Sequence, residues 1–150
     1  MPVIELITTP EEAVEMLYDL IRENAGLLGM EYVGQYDENL LPRYPNVVIS
    51  PGVKTKEVHG THTFLVTLRC IIWIYHAQLT ITHTERSQED LAFATAIETL
   101  IEQDKTFGQR VIFGFVESST PGIIAARTGK GEGIVGTRLA WECITEQHWN

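Results

Sequence analysis

The chain has 150 residues, 44% hydrophobic and 21% charged, with a formal net charge of −9. That length and usage suit one globular domain spanning 1–150 with its own core, and they exclude a disordered or low-complexity chain. The acidic balance speaks against a phosphate-backbone binder, and two cysteines far apart, Cys70 and Cys143, exclude a disulfide framework and read as buried thiols in a reducing compartment.

The charge is uneven. Residues 1–40 hold nine acids against one base, Arg22, a net −8, while the other 110 residues hold eleven acids against ten bases, a net −1. The opening Met1-Pro2-Val3-Ile4-Glu5 lacks the basic-then-apolar pattern of a secretory signal. The most apolar run, Phe64 to Ala77, is interrupted by Arg69 and falls short of the roughly 20 residues of a membrane helix. No membrane association is therefore expected.

The first helix is signalled by Thr9 as N-cap, Pro10 at the first helical position and Glu12 three residues after the cap. Ala13, Val14, Leu17, Leu20 and Ile21 follow as one apolar stripe, and Gly26 and Gly29 mark the end. If that stripe packs inward, Glu11, Glu12, Glu15, Asp19 and Glu23 turn outward or to the flanks as an acidic face. An irregular stretch from Gln35 to about Tyr44 comes next, with Pro42 and Pro45 on either side of Tyr44. Val47 to Ile49 reads as a short strand ended by Ser50-Pro51-Gly52, and Val53 to Val58 as a second strand turning at His59-Gly60.

Thr61 to Gln78 carries the strongest strand pattern. Phe64, Val66, Leu68, Cys70, Ile72 and Ile74 make one wholly apolar face. Leu65, Thr67, Arg69, Ile71, Trp73 and Tyr75 make a second face, apolar only in its latter half. A strand with one mixed face belongs to an antiparallel sheet, and Ile71, Trp73 and Tyr75 still need a cover, from a second layer or a neighbouring subunit. A second helix is expected from Ser87, with Asp90 three residues on, to a stop near Phe107-Gly108. Three strands close the chain, Arg110 to Glu117, Ile123 to Arg127 and Arg138 to Gln147, the last two joined by a glycine-rich segment from Thr128 to Gly136 that carries Lys130 and Glu132. The expected fold class is α+β, an antiparallel β-sheet packed by two α-helices.

Candidate chemistry is sparse. Gly129-Lys130-Gly131 lacks the Gly-x-x-x-x-Gly-Lys-Ser/Thr spacing of a phosphate loop and leads into a strand, so it reads as a flexible connection able to order against a partner. His59 and His62 flank a turn without the further converging ligands a zinc site needs. No Gly-x-Ser-x-Gly elbow is present, and Cys70 sits mid-strand on an apolar face. No catalytic, metal, cofactor or nucleic-acid-binding residue is assigned.

The element order, together with Pro45-Asn46-Val47-Val48-Ile49-Ser50-Pro51-Gly52, the strand Phe64 to Tyr75, the helix Ser87 to Asp104 and the closing strand Thr137 to Gln147, resembles the tail terminator (tail completion) proteins of long-tailed bacteriophages. The resemblance spans nearly the whole chain, although its motifs are loose. It implies a structural, non-enzymatic protein found in the virion at the tail and neck, and in host cytoplasm before assembly. Such proteins form a ring with copies of themselves, usually a hexamer, which caps the capsid-proximal end of the tail tube. The ring stops polymerisation of the tube protein and docks neck or connector proteins, and DNA passes through its lumen without specific binding. On that reading Ile71, Trp73, Tyr75, Lys130 and Glu132 fall at subunit interfaces, and the acidic face of Glu11, Glu12, Glu15, Asp19 and Glu23 lines the lumen or docks a basic partner. Two rivals remain: another neck ring protein, such as a head-closure or connector component, and a small enzyme or ligand-binding domain with a pocket near His59, His62 and His76.

Overall fold

A computed structural model describes the backbone of 5–30, 32–35, 45–78, 84–127 and 132–148, with side chains in 5–30, 33–35, 45–76, 92–121 and 136–148. The elements are α1 (Pro10–Glu23), α2 (Ala25–Leu28), β1 (Tyr32–Gln35), β2 (Asn46–Gly60), β3 (Thr63–Gln78), α3 (Thr84–Glu102), β4 (Phe113–Arg127) and β5 (Glu132–His148). The strands form one sheet in the order β1-β2-β3-β5-β4. The class is α+β, as expected, but the sheet is mixed: β1 lies parallel to β2, and the other neighbours are antiparallel.

The capping box forms as read. The Thr9 hydroxyl oxygen accepts from the Glu12 backbone N–H at 3.2 Å, and Glu12 Oε1 in turn accepts from Thr9 Oγ1 at 3.0 Å and from the Thr8 backbone N–H at 3.3 Å. These bonds satisfy donors that a helix start leaves open. Asn24 closes α1 by donating from Nδ2 to the Leu20 carbonyl at 2.8 Å. The short α2 ends at Gly29, whose φ of +74° is the left-handed conformation that glycine adopts without a Cβ clash.

Helices α1 and α3 lie on one face of the sheet. Ala13, Val14, Leu17 and Ile21 of α1, and Ala94, Ile97 and Ile101 of α3, share a core with Val47, Ile49, Leu68, Cys70, Ile72, Leu139, Trp141 and Cys143. The period-2 alternation of β3 and β5 sends these strand residues to the helix side, while their sequence neighbours face away. The N-terminal segment is stitched into this layer: Ile7 donates its N–H to the Arg110 carbonyl at 2.9 Å, and its own carbonyl accepts from Thr145 Oγ1 at 2.7 Å.

Several boundaries differ from the sequence expectation. The two short strands expected over Val47–Ile49 and Val53–Val58 are one strand, β2, with a bulge between Pro51 and Lys54. Gly52 sits at that bulge, where an added Cβ would come within 2.9 Å of the Arg69 carbonyl oxygen, so the glycine marks a close backbone approach rather than a strand end. The expected strands Arg110–Glu117 and Ile123–Arg127 are likewise joined in one strand, β4, which starts only at Phe113 and runs through Ser118-Ser119-Thr120-Pro121-Gly122. As the outer strand of the sheet, β4 tolerates a proline. Strand β5 starts at Glu132, so the latter part of the expected loop Thr128–Gly136 is paired strand, and residues 128–131 with Lys130 lie outside the described residues. Helix α3 begins at Thr84, one turn before the expected Ser87 cap. Strand β1, where no strand was expected, ends at Gln35, the first residue of the expected irregular stretch, and 36–44 lie outside the described residues.

Candidate functional site

The sheet face turned away from the helices is open in part: Val48 and Asn46 of β2 are buried on it, and the β3 residues beside them are half-buried. Its centre is Ile71, Trp73 and Tyr75 of β3, paired with Ala140, Arg138 and Gly136 of β5 and with Ser50, Val48 and Asn46 of β2. All three β3 side chains are half-buried, whereas Cys70, Ile72 and Ile74 between them are fully buried under the helices. The same open face continues through Arg69, Thr67 and Leu65, and reaches Phe113 and Phe115 of β4, which pair with Ile144 and Glu142.

Trp73 is fixed in place. Its Nε1–H donates to Ser50 Oγ at 2.9 Å, and the Arg138 guanidinium lies 5.6 Å from its ring centre. The polar handle is satisfied inside the chain, which leaves the indole body as a rigid apolar feature on the surface. Four residues along β3, Arg69 donates to Glu142 Oε1 at 3.4 Å, a pair that keeps 40% of the arginine side chain accessible. Phe113, 40% exposed, stands 5.7 Å from Phe115 between ring centres, and the Lys105 ammonium lies 5.3 Å from the Phe113 ring. The centre of the face thus combines aromatic and aliphatic surface with two guanidiniums against one carboxylate.

The acidic residues lie on the opposite side of the slab. Glu11, Glu15 and Glu23 are exposed and Asp19 is half-exposed on the solvent side of α1, spaced four residues apart in a single row. Glu12 leaves that group, because its carboxylate is held by the Thr8 and Thr9 donors of the cap. Beside the C-terminal end of the row is a groove of about 460 Å³ between α2 and α3, lined by the α1 cap residue Asn24 and by Leu27, Leu28, Ala92, Ala96 and Leu100, among others. Leu27 stands at its edge, 91% exposed. The sequence reading missed this groove, although two leucines held between Gly26 and Gly29 at a helix end were a usable signal.

The histidines do not converge. His59 and His62 are exposed at the β2–β3 turn, while His76 is buried near the other end of the 16-residue β3, where Nε2 lies 3.0 Å from Thr137 Oγ1. The pocket considered near these three residues is therefore not formed. Among the described residues no group of three or more His, Cys, Asp and Glu side chains is placed to hold a metal ion. Cys70 and Cys143 are buried free thiols, each pushed up to about 12 by burial. Glu132 stands at the start of β5 opposite Arg127, and no helix among the described residues is long and apolar enough to cross a membrane.

No protein-family model and no curated protein matches the sequence. Among the solved structures that match, one is similar at a TM-score of 0.40 and 15% identity, over 94% of this chain and 96% of that one, a likeness too distant to support an argument.

Proposed function

We propose that the chain is a structural ring subunit, the tail terminator of a long-tailed bacteriophage, which caps the tube end nearest the capsid and presents a docking surface to the neck. The observation that carries this reading is the open sheet face. Ile71, Trp73 and Tyr75 form a rigid apolar patch on one side of a sheet whose other side is fully packed. Patches of that kind on otherwise well-packed domains are interaction sites.

A ring subunit needs such a surface, because each copy meets two neighbours. The tail role itself comes from the family resemblance.

The test is tail-tube polymerisation with and without the purified chain. A terminator gives tubes of limited length with the chain bound at one end. Tubes that grow unchanged, together with binding to portal-side proteins alone, would move the chain to another neck ring. Tubes that grow unchanged with no neck partner bound would remove the phage-tail assignment.

A further inference from the structure

We propose that copies of this chain associate head to tail, the open sheet face of one seated on the helix-side groove and acidic row of the next. The inference rests on the reading that the chain assembles with itself, and it names the two surfaces that meet.

The two surfaces lie on opposite sides of a two-layer slab, and each is apolar where it should be polar. On the sheet side the patch is Ile71, Trp73, Tyr75 and Ala140. On the helix side it is the groove of Leu27, Leu28, Ala92, Ala96 and Leu100. The exposed flank of α3 at Ala92, Thr95, Ala96 and Thr99 bears no charge, so the groove has an uncharged wall on one side. Leu27, 91% exposed at the rim, extends this uncharged surface outward.

The charges beside the two patches are opposite in sign. Arg69 and Arg138 lie four residues apart along adjacent antiparallel strands, about 14 Å from each other by strand geometry. Glu15, Asp19 and Glu23 recur along α1 in steps of about 6 Å, so Glu15 and Glu23 stand about 12 Å apart. Four aligned carboxylates repel one another along a helix, and the one base within that stretch, Arg22, lies instead over the Tyr18 ring at 5.4 Å. Two guanidiniums from a neighbour match the row in both sign and spacing. The acidic face is then a protein contact and not a lumen lining.

The alternative of joining sheets edge to edge is opposed by the edges themselves. Beyond β1 the free edge of β2 carries Pro51, a bulge, Lys54 and Lys56. The free edge of β4 carries Pro121 and two register breaks. Prolines, bulges and lysines are the usual guards against strand addition. Face-to-face packing of unlike surfaces is left, and that heterologous contact closes into a ring when the rotation allows.

The experiment uses the full chain and three variants, Leu27→Glu on the helix side, Trp73→Glu on the sheet side, and Arg138→Glu as a second sheet-side change that leaves Trp73 in place. Folding is checked by circular dichroism, and mass in solution by sedimentation. Wild type is expected to form a closed oligomer. Each variant alone is expected to associate roughly tenfold or more weakly, as interface anchors do. An equimolar mixture of Leu27→Glu and Trp73→Glu retains one intact sheet face and one intact groove, so it should give a 1:1 dimer and nothing larger. A Leu27→Glu chain that assembles like wild type would overturn the proposal in favour of sheet-on-sheet contact. A mixture that stays monomeric, or a wild type that stays monomeric at high concentration, would also overturn it. None of these outcomes decides the tail-capping reading, which is scored separately by tube length.

Discussion

The two faces of β3 are built from the same strand yet live in different environments. Toward the helices, Leu68, Cys70, Ile72 and Ile74 are wholly buried in a continuous core. Away from them, Arg69, Ile71, Trp73 and Tyr75 are half-buried, with an ion pair, an indole held by Ser50 and a guanidinium over the ring. The first face determines whether the monomer folds. The second contributes little to folding and holds its side chains rigid, which is what a recognition surface requires.

Adjacent residues make the sharpest comparison. Ile72→Ala on the covered face should lower stability by about 2–5 kcal/mol, because it leaves a cavity in a packed core. Ile71→Ala on the open face should cost under about 1 kcal/mol in the monomer, as half-exposed apolar positions do. Urea unfolding of the two variants at low concentration checks the pair, and equal losses would mean that both faces are core. Gly114 probes the covered side from β4. An added Cβ there would stand 2.8 Å from Trp141 Cζ2, so Gly114→Ala should destabilise by about 1–3 kcal/mol, the range for overpacking.

Smaller effects sharpen the picture at the margins. Thr9→Ala should cost about 1 kcal/mol by opening the cap of α1, seen as a lower unfolding midpoint with an unchanged slope. The thiols of Cys70 and Cys143 ionise near 9 when unfolded and at about 12 when folded, held up first by burial. Their contribution to stability is therefore complete below pH 9 and is lost as pH rises toward 12. Native protein at pH 8 should resist alkylation at both cysteines, while protein in urea reacts fully. The weakest effect is at Asp104, whose carboxyl is held below its ordinary 3.8, first by the Thr106 hydroxyl and then by the Gly108 and Thr106 N–H groups. Those bonds hold the turn in which Phe107, Gly108 and Gln109 all have positive φ. A depressed carboxyl stabilises above its unfolded value and loses that contribution as pH falls through the folded one. Amide protection of Gly108 should decline over that acidic window, and Asp104→Asn should lack it at every pH.

Much of the fold was legible because its signals are local. The Thr9-Pro10-Glu12 cap, the apolar stripe of α1 and the two-sided pattern of β3 each follow from one helical turn or one strand period, and the need for a cover over Ile71, Trp73 and Tyr75 followed from that pattern. What escaped depends on neighbours. Pro51-Gly52 and Ser118-Ser119-Thr120-Pro121-Gly122 read as chain breaks, yet both are accommodated in strands with a free edge. Strand β1 is four residues long and takes its place from β2. Helix α3 starts at Thr84, before the Ser87-Asp90 signature, so sequence placed its start one turn late. Leu27 and Leu28 between two glycines hinted at the groove, but its other wall is α3, distant in sequence, so the pairing could not be read.

The central claim is that the open sheet face is a self-association surface. The most direct measurement is the mass in solution of the purified chain beside its Trp73→Glu variant, both at high concentration and both shown to be folded. A wild-type oligomer and a variant monomer are the predicted results. Two monomers, or two oligomers of equal mass and equal dissociation constant, would contradict the account.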